Sequence, residues 1–276
     1  MGTLYVVGTP IGNLEDLTLR AARALGEVSM VAAEDTRVSR RLLNHLGIRV
    51  SCVSCNEHNW RQRVPELVRV LETGDVALVT DAGMPGVSDP GAAIVTAIAA
   101  EGFDVQVIPG PSAVTTALAV SGFAADSFTF LGFLPRRGRE RRERLAWASA
   151  LPDTLVVFEA PHRLRATLAD LLGALGDRQM AVCRELTKLH EEVWRGSLSE
   201  AVEHFTEARG EFVLVVAGAG AVKQIEAHDS QEQARELLAA QRESGARARE
   251  AVAEVVAATG LPRSEVYRMW VETGRS

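Results

Sequence analysis

The chain has 276 residues, 47% of them hydrophobic and 24% charged, proportions of a globular protein with apolar material for one large or two medium domains. A formal net charge of −6 argues against a protein that coats nucleic acid non-specifically, while leaving room for a local basic patch. Cys52, Cys55 and Cys183 are too few for a disulfide scaffold. No apolar stretch nears the roughly 20 residues of a membrane span, and the start Leu4–Val7 lacks the basic lead of a signal peptide. A cytoplasmic protein with no membrane association is expected.

In chain order, Leu4–Val7 reads as a buried strand, Glu15–Leu25 as a helix, Met30–Ala33 as a strand and Arg37–Leu46 as a helix stopped by Gly47. Arg49–Val53 is extended. Trp60–Glu72 is helical, Val76–Thr80 a strongly apolar strand, Ala92–Glu101 a helix, Val105–Ile108 a strand and Ser112–Ser121 a helix. Near-continuous apolar strands alternating with helices predict a parallel, doubly wound α/β domain over 1–122, with ligands at the carboxyl ends of its strands.

Past a linker at Phe123–Asp126, a second α/β domain over 123–222 is expected. Its strands are Phe128–Phe133, Thr154–Phe158, Met180–Glu185, Glu192–Gly196 and Phe212–Ala217. Its helices are Arg139–Ala150, Leu164–Leu175 and Leu198–Glu207, and some antiparallel pairing makes its sheet mixed. Helices Gln231–Glu243, Ala246–Thr259 and Arg263–Glu272 then form a helix-turn-helix-like tail over 228–276.

Four successive strand ends of the first domain carry unusual loops. Gly8–Leu14 (GTPIGNL) is not a dinucleotide fingerprint, because Pro10 removes a donor and the glycine spacing is wrong. Glu34-Asp35-Thr36-Arg37 puts two acids and an arginine at a strand end, where Asp35 or Thr36 could equally cap the next helix. Asp81–Gly91 (DAGMPGVSDPG) has three Gly and two Pro in eleven residues, longer than the two to six residues that a strand-to-helix connection usually takes. Pro109–Ala113 (PGPSA) opens a helix with unpaired amides. Together these loops mark one edge of a ligand cleft. The CxxC at Cys52–Cys55, with His58 beyond, lacks a fourth ligand; it is the end of a strand, and no metal is expected.

Those motifs, followed in order by Gly132–Arg136 (GFLPR), Glu159–Arg163 (EAPHR) and Arg184–Lys188 (RELTK), closely resemble the ribosomal RNA methyltransferases of the tetrapyrrole methylase superfamily, over roughly residues 3–272. The resemblance implies two α/β domains of tetrapyrrole-methylase type with S-adenosylmethionine between them, and a homodimer. It further implies 2′-O-methylation of a cytidine in small-subunit ribosomal RNA, free or in the assembled subunit. The cofactor positions it assigns are Pro10, Ile11, Met84, Pro85, Val87, Ser112, Ala113, Phe158, Ala217 and Gly218. Members commonly carry Thr where this chain has Met84, so a backbone and shape contact is expected there. The stretch before His58 also departs from the family's pattern.

Activation of a ribose hydroxyl calls for a base or a cation near the oxygen. The motif positions offer Asp81, Glu34, Arg37, Glu159, His162 and Lys188 as catalytic candidates, with Asp35 and Glu185 beside them. Asp81 could instead hold its own loop, and Arg37 and Arg184 could pair with Glu34 or Glu185. Arg136, Arg137, Arg163 and Lys188 are expected RNA contacts, within or near the run Arg136–Arg144 of six arginines and two glutamates. That run could equally be a solvated helix face. Two other functions share these features: a corrin or uroporphyrinogen methylase of the same superfamily, and a non-catalytic RNA-binding protein.

Overall fold

A computed structural model of the chain describes residues 1–219, 233–242, 244 and 246–272. Strands β1 (Thr3–Val7), β2 (Met30–Ala33), β3 (Ser51–Ser54), β4 (Val76–Val79) and β5 (Asp104–Ile108) form a fully parallel sheet in the order β3-β2-β4-β1-β5. Helices cover both of its faces. From α1 (Leu19–Glu27) and α2 (Thr36–His45), Leu25, Leu42 and Leu43 bury against Val31, Ala33, Ala77 and Val79. From α3 (Trp60–Leu71) and α4 (Gly91–Ala100), Leu67, Leu71, Ile94 and Ile98 meet Leu4, Ala32 and Leu78 on the opposite face. Every residue of β2 and β4 is buried, which is why these strands read as unbroken apolar runs.

The start of α1 differs from the expectation. Leu14–Asp16 is a separate 3-10 turn capped by Asn13, and Thr18 caps α1 itself by accepting from the Ala21 N–H at 3.1 Å. A side-chain cap at Thr18 ends one segment and begins the next, so a helix from Glu15 would have to forgo it.

The second sheet holds β6 (Phe128–Phe133), β7 (Thr154–Glu159), β8 (Gln179–Arg184), β9 (Glu192–Ser197) and β10 (Phe212–Val216), in the order β6-β7-β10-β8-β9. Only β6 and β7 are parallel; the other pairings are antiparallel. α6 (Gly138–Ser149) and α8 (Leu198–His204) each pack against α7 (Leu164–Leu175).

Helix α5 (Ala113–Ser121) joins the two sheets. It leaves the first sheet after β5, yet Val114, Ala117 and Leu118 bury against Val156, Ala181, Cys183, Val213 and Val215 of the second. Arg195 of β9 donates to the Ser121 carbonyl at 3.1 Å and also to that of Val120, at the end of α5 where the helix dipole favours a cation. Met1–Ser149 and Thr154–Val216 accordingly form one compact unit, and the expected boundary at 122–123 falls just after the shared helix.

Ala150–Asp153 and Ala217–Ser276 form the second unit. Its helices are residues 233–242 (α9), α10 (Ala248–Thr259) and α11 (Arg263–Glu272), around Ala234, Leu238, Val252, Val255, Val266 and Met269. Both ends of the expected helix Gln231–Glu243 lie outside the described residues, as do 228–232 and 273–276 of the expected tail. Among the described residues no helix is long and apolar enough to cross a membrane.

Leu118→Ala opens a cavity in the cluster that joins the sheets. A loss of about 2–5 kcal/mol is expected in urea unfolding, and a change under about 0.5 kcal/mol, the size of a surface substitution, would show that α5 does not carry this junction.

Candidate active site

Glycine lets the strand ends of the first sheet close on one another. A Cβ on Gly8 would lie 2.7 Å from the Gly110 Cα and 2.6 Å from the Met84 Sδ, so both backbone and thioether occupy the space a side chain would need. The next residue stitches the first loop to the long one. Thr9 and Gly83 exchange backbone hydrogen bonds of 2.9 and 3.1 Å, and the buried Thr9 hydroxyl donates to the Thr80 carbonyl at 3.2 Å.

The long loop keeps its shape through Asp89. Its carboxylate accepts from the N–H groups of Gly86 (2.8 Å), Val87 (3.2 Å) and Gly91 (2.7 Å), while Gly83 and Gly86 take positive φ. Asp89 therefore holds the loop, a role the sequence left open for Asp81. The signal was present, since Asp two residues before a helix start bonds forward to the backbone.

Asp81 instead braces a neighbouring strand end: its Oδ1 accepts from the Asp35 N–H at 2.9 Å. Glu34 reaches back the other way, its Oε2 accepting from the Thr80 hydroxyl at 2.6 Å and from the Asp81 N–H at 3.3 Å. Asp81 remains open to solvent on the cavity side, yet partial burial pushes its pKa up, with the charges of Glu34 and Asp35 adding to the rise against the Asp35 N–H bond. Asp35 caps α2 through the Arg37 N–H at 2.8 Å and pairs with the exposed Arg37 guanidinium at 2.6 Å. The side-chain hydrogen bond from Arg37 is the main reason its carboxyl titrates at about 2. Arg37 thus pairs with Asp35 rather than Glu34.

These loops form one side of a cavity of about 400 Å³. The first sheet contributes Ile11, Glu34, Asp81–Met84, Val87 and Ser88, and the start of α5 contributes Ser112 and Ala113. Ser112 makes no side-chain capping bond, leaving the first-turn amides of α5 available to a ligand. The second sheet supplies Phe133, Phe158–Pro161 and Glu211–Val213. The titratable groups in these walls are Glu34, Asp81, Glu159 and Glu211; among the described residues no basic side chain lines it. A second cavity of about 470 Å³ shares Ile11, Thr80, Asp81, Ala82 and Glu211 with the first, and adds Pro10, Arg41 and Lys188.

Of the other expected cofactor positions, Pro10 lines only the second cavity, and Pro85 lines neither. Because β10 runs antiparallel to β7, it presents Phe212 and Val213, opposite Glu159 and Phe158. Ala217 and Gly218 follow Val216, which pairs with Leu155 near the other end of β7.

Several expected functional residues hold structure. Glu159 is buried, accepting from Thr167 Oγ1 at 2.5 Å and Ala160 N at 2.9 Å and pairing with Arg163 at 3.3 Å. Arg163 also donates to the Leu134 carbonyl at 2.6 Å, so its guanidinium points into the protein rather than toward a phosphate. Lys188 sits between Glu185 and Glu211, 2.9 Å from each. Burial opposes both charges of the Lys188–Glu185 pair, but their hydrogen bonds outweigh it, raising the lysine pKa and lowering that of Glu185. Lys188 is therefore a compensated cation. Gly12 is packed against this turn, a Cβ there lying 2.5 Å from Lys188 Cγ, which links the first motif to the last. Arg184 pairs with Glu192, not Glu185. His162 is exposed in the 3-10 turn Pro161–Arg163.

In the arginine run, Arg141 is buried on Asp170, Thr167 and the Pro135 carbonyl, Arg139 pairs with Glu143, and Arg144 lies over the Trp147 ring. Arg136, Arg137 and Arg142 are exposed. Away from the cavities, burial pushes the Cys55 and Cys183 thiols up to about 11, which keeps them protonated.

The family model for tetrapyrrole (corrin/porphyrin) methylases matches residues 3–202. The chain is 44% identical over 278 residues to the ribosomal RNA small subunit methyltransferase I of Halalkalibacterium halodurans, covering 98% of this chain and 94% of that one. It is 48% identical over 221 residues to the Thermotoga maritima protein of the same name, covering 79% and 99%. The fold resembles that of a Thermus thermophilus uroporphyrin-III C-methyl transferase solved with S-adenyl homocysteine, with TM-score 0.58, 23% identity, and 79% and 92% coverage.

Gly8→Ala forces apart two backbones as well as Met84, so a loss of about 1–3 kcal/mol is expected in unfolding. Adding Met84→Ala should not restore it, because the Gly110 backbone remains; full restoration would show that only the thioether matters. The Asp35 carboxyl, depressed on folding, adds stability above its ordinary pKa of 3.8 and loses it as the pH falls toward about 2. Asp35→Asn should therefore be less stable than wild type at pH 7, with a gap that narrows as the pH falls below 3.8 and closes only below about 2, and a gap independent of pH would contradict the ion pair's role.

Proposed function

The chain belongs to the tetrapyrrole (corrin/porphyrin) methylase family and is a methyltransferase, and from that premise we propose that it methylates small-subunit ribosomal RNA, at the 2′-hydroxyl of a cytidine, with S-adenosylmethionine as donor. The observation that carries the reading is the acidic cavity. Glu34 and Asp81, the two carboxylates in its largely apolar wall without an ion pair among the described residues, suit a cationic sulfonium and oppose a polyanionic tetrapyrrole precursor, which disfavours the corrin and uroporphyrinogen alternative. Relatives along nearly the whole chain bear the ribosomal RNA name. The proposal extends to a cytoplasmic homodimer acting on the RNA or on the assembled small subunit.

The volume and apolar walls fit the donor. Met84 and Val87 of the long loop, Ile11, Ser112 and Ala113 at the start of α5, and Phe158 with Val213 would hold it. Met84 packs on Gly8 and offers a thioether surface rather than a hydroxyl, so that loop contributes shape and backbone. When bound, the donor supplies an electrophilic methyl group, and the transfer is an in-line displacement that depends mainly on alignment.

The ribose hydroxyl must lose its proton as its oxygen bonds to carbon. Asp81 is placed to take it. It lines both cavities, only its Oδ1 is bonded within the protein among the described residues, and its raised pKa makes it a stronger base than an ordinary carboxylate. Glu159 and Lys188 have their polar atoms engaged, and Glu34 uses one oxygen to hold Thr80 and Asp81.

Purified small subunits incubated with labelled donor should carry label on a cytidine 2′-oxygen; label absent from RNA contradicts the proposal. Asp81→Asn should lower kcat by about 10²–10⁴-fold, the range for a lost general base. Wild-type kcat/KM should fall on acidification through a pKa above the ordinary aspartate value, and persistence of that limb in Asp81→Asn would assign the base elsewhere.

A further inference from the structure

Among the described residues, Phe133 is the one large apolar side chain in the cavity wall of the second sheet that stands more than half exposed, at 53%. Its position results from a deliberate irregularity in β6. Phe130 pairs with Val156 and Phe133 with Phe158, so three residues of β6 span two of β7, with Gly132 at φ +65°. In a regular strand, residues three apart face opposite sides; the bulge turns Phe133 onto the face that carries Phe130 and Phe158. The three rings then stack edge to face: Phe130 lies 4.8 Å and Phe133 5.7 Å from Phe158, both near 66°.

The backbone just beyond is pinned. Arg163 binds the Leu134 carbonyl at 2.6 Å and the buried Arg141 binds that of Pro135 at 2.9 Å. Next along the chain come the exposed Arg136 and Arg137, which make no ion pair among the described residues. β6 is an edge strand of its sheet, so the ring lies at the rim, while Phe158 and Val213 of the inner strands β7 and β10 form the interior wall.

We propose that Phe133 is a stacking platform for an unpaired base of the RNA, with Arg136 and Arg137 holding the adjoining phosphates. A fixed aromatic face followed by cations is what single-stranded nucleic acid requires: the ring takes a base by its π-face and the arginines take the backbone. The acidic cavity interior repels phosphates, so the backbone stays at the basic rim and only a flipped nucleotide reaches Asp81. This deepens the ribosomal RNA reading and rests on it.

The test compares Phe133→Ala, Phe133→Leu and Phe133→Trp. For each, binding of purified small subunits to the protein–S-adenosylhomocysteine complex is measured by filter binding, and S-adenosylhomocysteine affinity by calorimetry. Phe133→Ala and Phe133→Leu should weaken subunit binding about tenfold while Phe133→Trp retains it, with S-adenosylhomocysteine affinity unchanged in all three. Unchanged subunit binding in Phe133→Ala overturns the proposal, as does equal weakening of S-adenosylhomocysteine, which would assign the ring to the donor's adenine. Rescue by Leu would reduce the ring to packing and overturn it too. Wild type that methylates RNA while Phe133→Ala binds normally refutes the platform alone; wild type that leaves RNA unlabelled refutes the substrate reading itself.

Discussion

Gly8 and Gly110 lie so close that neither position has room for a side chain, and the ligand cavity is built outward from that contact. The approach brings the loop after β1 alongside the loop after β5. Thr9 then clips Gly83, which fixes where the long loop leaves β4, and Asp89 folds the rest of that loop back on itself. From Gly110 the chain enters α5, whose apolar face belongs to the second sheet. One backbone contact thereby sets the first loop, the long loop and the start of α5, and α5 sets where the second sheet stands.

Charge is divided between inside and rim. The walls carry carboxylates, and the cations nearest to them are consumed by structure: Arg163 on Glu159 and Leu134, Arg141 on Asp170 and Pro135, Lys188 between Glu185 and Glu211. Beyond the end of β6, Arg136, Arg137 and Arg142 remain exposed, and Arg41 lines the adjoining second cavity. A cationic methyl donor is favoured in the interior, and an RNA backbone is favoured at the edge. The net charge of −6 is compatible with both, because binding depends on where charges sit.

The parallel sheet was legible because β2 and β4 are buried at every residue and therefore carry no polar alternation to confuse the period. The four strand-end loops were legible from turn chemistry, and Glu34, Asp81, Met84, Ser112, Ala113 and Phe158 do meet around one cavity. The packing of α5 was not, because its apolar residues say that a face is buried and nothing about which sheet buries it. Nor was the split within the arginine run. Arg136, Arg137 and Arg141 look alike in sequence, and only the partners Asp170 and Thr167, far along the chain, turn Arg141 inward. The bulge that aims Phe133 hid behind a single Gly132, and Ala217 and Gly218 were placed at a strand end without the strand direction that decides which end faces the cavity.

The central claim is that an acid-walled cavity of about 400 Å³ takes a sulfonium methyl donor. Calorimetric titration of the intact chain with S-adenosylmethionine, beside an absorbance titration with a polycarboxylate tetrapyrrole precursor, tests it most directly. One saturable S-adenosylmethionine site per chain, with no tetrapyrrole binding, is the predicted result. Tight tetrapyrrole binding, or no saturable S-adenosylmethionine binding, would contradict it.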